Sequence, residues 1–269
     1  MVKRISFLLF LLLLVFTCAG SFFDAAASRR QKIRVALKSD NCVSCHEKLK
    51  GPLEVSARYM EWHLSPHRAN GVGCEKCHGG DPATSDLKSA HSLMLPPRDP
   101  RSRLNSKNLP ETCGTCHKAV VSSFVESTHY GKLKDGGLGP SCITCHGHMA
   151  SKIARYPSEG AAFCSFCHNT VNGPQPRRPE IPDRARVTLE SIGRANYMVV
   201  WITDLLGEAQ KKNIVAREER EDLRLLQVTL SEAKIGWHSF DLEGPRIKAE
   251  RAFEEGIRIR DRLQKKLGR

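Results

Sequence analysis

Five copies of one short pattern, Cys-x-x-Cys-His, lie between residues 42 and 168 of this 269-residue chain. Two thiols three positions apart can form thioethers to the two vinyl groups on one edge of a porphyrin, and the histidine directly after them can then ligate the iron. This pattern is the attachment signature of c-type haem, so the sequence predicts five covalently bound haem c groups. The thioether cysteines are Cys42, Cys45, Cys74, Cys77, Cys113, Cys116, Cys142, Cys145, Cys164 and Cys167, and the iron-ligating histidines are His46, His78, His117, His146 and His168.

Cysteine pairs at this spacing also occur in zinc ribbons, redox dithiols and disulfides. A zinc site, however, has no reason to place a histidine after every cysteine pair. Because only 11 of the 269 residues are histidine, five such successes by chance are expected on the order of once in ten million sequences. The pattern therefore favours haem over the other readings.

Six histidines lie outside the motifs, and they are candidates for the second axial ligand that a low-spin electron-transfer haem needs. His63 is the expected exception, because it lies four residues before His67 and would share its helical face. The predicted distal ligands are His67, His91, His129, His148 and His238.

An internal repeat covers residues 62–79 and 124–147. Each copy has an aromatic residue, then Ser-x-His, a glycine-rich loop and Cys-x-x-Cys-His-Gly, so that His67 and His129 are equivalent. The repeat predicts that pairs of haems are the building unit of this region.

The haem segment has few aromatic residues and many Gly, Pro and polar residues, so its side chains alone would form a thin core. The haems are expected to supply the missing apolar interior, and the segment should not fold without them. The predicted fold class is mainly α with extensive loop and little or no β: a haem-packed cytochrome module followed by a bundle of about three long helices.

Three apolar stripes at helical spacing predict this antiparallel C-terminal bundle. Glu243-Gly244-Pro245 is expected to separate the last two helices, and Gly268 to cap the third. The first stripe is Ile192, Ala195, Met198, Val199, Ile202, Leu205, Leu206 and Ala209; the second is Leu223, Leu226, Leu230, Ala233, Trp237 and Phe240; the third is Ala249, Ala252, Phe253, Gly256, Ile259 and Leu263. His238 stands one position off the second stripe, and the interpretation is that it reaches back to a haem and clamps the bundle to the cytochrome part.

The positions of the motifs and the change in composition after the last motif predict the domains of the chain. They are a signal peptide or N-terminal membrane anchor at 1–27, a pentahaem cytochrome c domain at 28–173, a Pro-rich linker at 174–182 and the helical bundle at 183–269.

The N-terminus has the layout of a secretory signal: Lys3 and Arg4, an apolar run, and small residues ending at Ala27. The chain is therefore expected in the periplasm or cell envelope. Two alternatives stay open, namely retention of the apolar stretch 5–23 as an inner-membrane anchor and lipidation at Cys18.

The formal charge of +13 invites a nucleic-acid interpretation. Five haems, each with two propionates, would add roughly −5 in the oxidised state and offset much of that charge. We therefore expect no nucleic-acid partner.

The chain resembles the bacterial multihaem cytochromes c of the superfamily that includes the pentahaem ammonia-forming nitrite reductases and the hydroxylamine oxidoreductases. The resemblance rests on five Cys-x-x-Cys-His sites followed by a long-helix region that contains His238. It implies haem packing and an extracytoplasmic location. The catalytic haem of those nitrite reductases is attached through a motif with lysine in place of histidine, and no motif of this chain has that change.

A second resemblance is to membrane-anchored quinol-oxidising tetra- and pentahaem cytochromes. It rests on the N-terminal apolar segment, on Cys42 to Glu47 and on Ser65 to His67.

No nucleophile, paired-carboxylate or phosphate-loop constellation is found, so the chemistry is that of the cofactor. The sequence predicts electron transfer rather than enzymatic catalysis, with redox partner proteins such as other cytochromes, a quinol dehydrogenase or a terminal reductase. The alternatives are a membrane-anchored quinol-oxidising subunit and a haem enzyme that reduces a small nitrogen or sulfur oxyanion at an open haem.

Overall fold

The computed structural model describes residues 40–150, 156–168 and 178–269, and these residues are mainly helical with no β-strand. This confirms the predicted mainly α class. Two short 3₁₀ turns, at His148–Ala150 and Trp237–Ser239, accompany the α-helices. In chain order the helices are α1 (Asn41–His46), α2 (Leu53–His63), α3 (Pro66–Ala69), α4 (Glu75–His78), α5 (Leu87–Ala90), α6 (Leu109–Gly114), α7 (Lys118–Val125), α8 (Thr128–Gly136), α9 (Cys142–His146), α10 (Pro157–His168), α11 (Glu180–Lys211), α12 (Arg217–Gly236) and α13 (Glu243–Leu267).

The chain forms two compact units that meet in sequence at Leu95 and Pro96. The first unit contains the first and second motifs on short helices. The second contains the other three motifs together with the three long C-terminal helices, and α10, which carries the fifth motif, packs on α11. Three of the five motifs therefore share one compact unit with the helical bundle.

The three long helices α11, α12 and α13 pack on one another around a continuous apolar core. The predicted stripes supply that core, because their spacing places them on the inward face of each helix. The core residues are Ala195, Met198, Ile202, Leu205, Leu206, Ala209, Ala216, Leu223, Leu226, Leu230, Ala252, Ile259, Leu263 and Leu267.

Gly256 lies where the three long helices approach closely. A Cβ at this position would lie 2.9 Å from the Met198 Cβ and 3.3 Å from a methyl group of Leu226. The absent side chain therefore lets α11, α12 and α13 come together at this level.

The connection between α12 and α13 differs from the sequence prediction in two ways. Trp237 and Phe240 lie beyond the end of α12 at Gly236, and Phe240 has a left-handed backbone with φ of 60°. Glu243-Gly244-Pro245 forms the first turn of α13 and does not separate the helices, which agrees with the tolerance of a first helical turn for proline. Gly268 caps α13 with φ of 77°, as predicted.

Residues 53–68 form two helices and not one. α2 ends at His63, and Ser65 caps the separate short helix α3, because its side chain accepts a hydrogen bond from the Arg68 amide. The prediction that His63 and His67 share one helical face was therefore wrong.

Several sequence predictions concern residues outside the described ranges: the signal or anchor at 1–27, Cys18, and residues 174–177 of the linker. Residues 178 and 179 of that predicted linker precede α11, whereas residues 180–182 belong to its first turn and not to a linker. None of the helices in the described ranges is both long and apolar enough to span a membrane.

Candidate haem-binding sites

Each of the five motifs is folded into a helical turn. In the second motif the His78 amide donates to the Cys74 carbonyl at 2.9 Å, and in the third the His117 amide donates to Cys113 at the same distance. Residues three positions apart in a helical turn point to the same side. Each motif therefore presents both of its thiols on one face, as two thioethers to one porphyrin edge require.

Local hydrogen bonds begin two of these turns. The Asp40 carboxylate accepts from the Cys42 amide at 2.8 Å and the Val43 amide at 3.3 Å, so it caps the helix of the first motif. Ser141 and Thr144 form a reciprocal capping box at the fourth motif. None of the ten motif cysteines is paired in a disulfide within the described residues.

Cysteines of consecutive motifs lie close together. The Cys113 thiol donates to Cys142, which raises the pKa of Cys113 and lowers that of Cys142. Burial, together with the nearby Asp40 and Cys42, raises the pKa of Cys74 to about 12. The first and second motifs are thus neighbours in one unit, and the third and fourth are neighbours in the other.

The internal repeat seen in the sequence is a structural repeat. The Ser65 hydroxyl donates to the Trp62 carbonyl, and the Ser127 hydroxyl donates to the Phe124 carbonyl, each at 2.7 Å. All four of these side chains are buried.

Each serine of the repeat also caps the next short helix, since Ser65 accepts from an amide at 3.3 Å and Ser127 at 3.1 Å. His67 and His129 occupy the same second position of these two helices. The glycines that follow the motifs are equivalent as well, with φ of 75° at Gly79 and 70° at Gly147. A side chain would strain both turns.

Histidine rings from motifs and from predicted distal positions meet in three pairs. Two imidazoles that ligate one iron from opposite sides, each with a metal–nitrogen distance of about 2 Å, have ring centres roughly 6 Å apart. The three pairs fit this spacing. They are His46 and His91, with ring centroids 6.2 Å apart and planes inclined by 37°; His129 and His168, at 5.9 Å and 89°; and His146 and His238, at 6.2 Å and 12°.

Two of the predicted distal histidines are held in the tautomer that leaves Nε2 available. Nδ1 of His91 bonds the Leu87 carbonyl at 2.8 Å, and Nδ1 of His238 bonds the Lys234 carbonyl at 3.0 Å. Because a carbonyl can only accept, Nδ1 carries the proton in both rings. This hydrogen bond to the backbone is the usual partner of a metal-ligating imidazole.

The protonation equilibria also favour ligation. Burial lowers the pKa of His46, and the nearby His91 lowers it further. Burial lowers the pKa of His129 and of His238 in the same way. The neutral imidazole, which is the form that binds metals, is therefore stabilised at these positions.

The other histidines lie near the motifs. His148 begins the 3₁₀ turn directly after the fourth motif. His63 ends α2, with its ring 5.7 Å from that of Tyr59, and its buried Nδ1 has no hydrogen-bond partner within the part of the chain that the structure describes. Burial and the nearby His46 lower the pKa of His78.

Sequence reasoning missed one residue at these sites. The Phe240 ring packs on the His129 imidazole, with centroids 4.1 Å apart, and also contacts Phe124 at 6.1 Å. Its apolar spacing had assigned Phe240 to the bundle core. His238, two positions earlier, was the sequence feature that could have indicated that this turn contacts the haem motifs.

Comparison with known proteins agrees with this chemistry. Residues 27–118, which contain the first three motifs, match the family model described as cytochrome c7 and related cytochrome c. The chain is 27% identical over 195 residues to a C-type polyheme cytochrome, OmcC, of Geobacter sulfurreducens, which covers 65% of this chain and 23% of that protein. It is 28% identical over 142 residues to the C-type polyheme cytochrome OmcB of the same species, covering 49% and 16%.

The chain therefore spans less than a quarter of the length of these relatives. No solved structure gives a significant match. The similarities are to multihaem c-type cytochromes, a class that binds haem c covalently and transfers electrons. The narrower resemblance to the nitrite reductase and hydroxylamine oxidoreductase superfamily stays a prediction.

Proposed function

We propose that this chain is a pentahaem cytochrome c that transfers electrons between redox partner proteins in the periplasm or cell envelope. The observation that carries the proposal is the parallel arrangement of His146, which belongs to a motif, and His238, which belongs to none, at the spacing of two ligands of one iron. Two strong ligands leave no open coordination position for a substrate, as suits electron transfer.

The proposed haem sites use the ten motif cysteines as thioether donors and the five motif histidines as proximal ligands. His91, His129 and His238 are the proposed distal ligands of the haems held by His46, His168 and His146. His67 and His148 complete the set for the haems of the second and third motifs. The bound haems supply one-electron chemistry between ferric and ferrous iron.

The protein's own contribution is to position and insulate these ligands. Backbone carbonyls fix the tautomers of His91 and His238, and burial lowers the pKa of His238. Cys113 and Cys142 lie side by side, so the third and fourth attachment sites are neighbours. Close attachment sites support rapid electron transfer within each unit.

Location and domain organisation belong to the same proposal. The basic and apolar N-terminus supports export, with cleavage near Ala27 or retention as an inner-membrane anchor. The helical bundle, proposed as the domain at 183–269, stabilises the haem segment through His238. Other cytochromes, a quinol dehydrogenase or a terminal reductase are the proposed partners.

The test is spectroscopy of the purified holo-protein. Every haem should be low-spin in the oxidised state, and a coulometric titration should take up five electrons, one for each motif. A stoichiometric high-spin haem would contradict the proposal and favour the oxyanion-reducing enzyme. Membrane association that survives high salt but yields to detergent would favour the quinol-oxidising subunit.

A further inference from the structure

A single turn of the helical bundle, Trp237 to Phe240, contacts two of the histidine pairs. His238 lies parallel to His146 at 6.2 Å, and two residues later Phe240 packs on His129, which pairs with His168. The two contacts serve different motifs, the fourth and the fifth. This turn therefore controls the ligand geometry at two sites at once.

The turn is held rigidly. The Phe240 amide donates to the Trp237 carbonyl at 3.1 Å, which fixes its left-handed backbone. The Thr188 hydroxyl of α11 donates to the buried Leu242 carbonyl at 2.8 Å. The Asp241 carboxylate accepts from the amides of Glu243 and Gly244 at the start of α13. The Phe240 ring thus belongs to the rigid bundle.

The His129 ring, in contrast, has little else that fixes its orientation. Its Nδ1 is buried and has no hydrogen-bond partner among the described residues, whereas Nδ1 of His238 bonds a carbonyl. The Phe240 ring lies 4.1 Å from the His129 ring, with the planes inclined by 44°. Packing against an aromatic ring then takes the place of the hydrogen bond that orients most ligating histidines.

The two pairs beside this turn differ in the angle between their rings. The planes of His146 and His238 are nearly parallel, at 12°, while those of His129 and His168 are nearly perpendicular, at 89°. Parallel imidazoles both interact with the same iron d orbital and separate the d-orbital energies. Perpendicular imidazoles act on two different orbitals and leave them nearly equal in energy. The angle between the two imidazole rings thus influences the electronic structure and the reduction potential of the iron.

We infer that Phe240 is a positioning residue that holds the His129 imidazole perpendicular to that of His168. It thereby gives the fifth-motif haem a different electronic structure from its neighbour at the fourth motif. This inference rests on the proposed function, because it requires both pairs to ligate iron.

The experiment is electron paramagnetic resonance of the oxidised holo-protein and two variants. The unmodified protein should show a low-spin signal with a very large maximal g value from the perpendicular pair and a rhombic signal from the parallel pair. In Phe240→Leu the large-g signal should move towards the rhombic class, because His129 can now rotate. Phe240→Tyr, which keeps the aromatic face, should retain the large-g signal.

The control is Phe253→Leu, which removes an aromatic ring that packs against the bundle core and contacts Arg194. It should lower stability without moving any signal. If Phe240→Leu fails to retain five haems, Phe240→Met replaces it, because methionine keeps most of the volume without a flat ring. If the large-g signal is unchanged in the non-aromatic variant, the inference is wrong. The proposed function still stands in that case, provided that the haems of the unmodified protein are low-spin. Absence of low-spin signals in the unmodified protein overturns the proposed function itself.

Discussion

The His238 ring lies parallel to the His146 ring, with planes inclined by 12° and centres 6.2 Å apart. One ring follows a cysteine pair, and the other lies in the 3₁₀ turn just after α12, in a segment without cysteine. Within the second unit, the helical bundle therefore contributes directly to a proposed haem site. Removing either part should disturb the other.

His238→Ala should convert one low-spin haem to a high-spin or otherwise altered form, because His146 loses its opposing ligand. Optical and paramagnetic resonance spectra of the oxidised protein would measure the change. Trp237→Phe, one residue earlier in the same turn, is the matched control and should leave the spectrum intact. If every haem band of His238→Ala is unchanged, His238 is not a haem ligand.

Ser127→Ala should lower the free energy of unfolding by about 1 kcal/mol, because it removes a helix cap. The Ser127 hydroxyl bonds both the Phe124 carbonyl and the Tyr130 amide, and its side chain is buried. The structural repeat predicts a similar loss for Ser65→Ala. Denaturant unfolding of the holo-protein would give both values.

The control for the cap variants is Ser122→Ala, at an exposed position of α7. It should change stability by less than about 0.5 kcal/mol. Equal effects at Ser122 and Ser127 would show that the cap has no special role.

Gly256→Ala should destabilise the bundle by about 1–3 kcal/mol, because the added methyl group would meet Met198 and force a backbone shift. The Cβ of Met198 would be 2.9 Å away, and a Cβ has little freedom to move. Gly207→Ala is the matched control, since nothing lies within 4 Å of its Cβ. It should stabilise α11 by about 0.5–1 kcal/mol. Thermal unfolding followed by circular dichroism would distinguish the two variants. If both variants lose stability, the close packing of Gly256 against Met198 is contradicted.

The bundle should also have an acid-sensitive ion pair between Glu219, whose side chain is fully buried, and Lys266, with Nζ 2.7 Å from the carboxylate. Burial alone raises the pKa of Glu219, but the Lys266 hydrogen bond and the Arg262 charge lower it overall. A lowered pKa means that the pair stabilises the fold above the ordinary pKa of glutamate. That stability is lost as the pH falls through the lowered value.

Lys266→Met should therefore cost about 2 kcal/mol near neutral pH, and less as the pH falls through the titration of Glu219. Lys248→Met is the control, because its pair with Glu232 is exposed and should be worth little. The free energies of unfolding of Lys266→Met and the unmodified protein should therefore be compared across pH. If their difference does not change with pH, the ion pair does not stabilise the fold.

Local patterns predicted a large part of this structure. The apolar stripes gave the inward faces of the long helices, since helical periodicity alone decides which side chains share a face. The repeat placed Ser65 and Ser127 in equivalent turns, because a serine cap needs only its immediate neighbours.

The pairing of histidines could not be read in the same way. His91 meets His46, and His129 meets the fifth motif instead of the fourth motif that follows it directly. Such contacts depend on how short helices fold back on one another, which no local pattern encodes. Phe240 was misplaced for a related reason, because apolar spacing does not show where a helix ends.

The most direct test of this account is the mass of the purified mature chain. Five covalently attached haems should raise the measured mass above that of the polypeptide by five haem units, one for each Cys-x-x-Cys-His motif. A mass equal to the polypeptide alone, or raised by fewer than five haem units, would contradict the account.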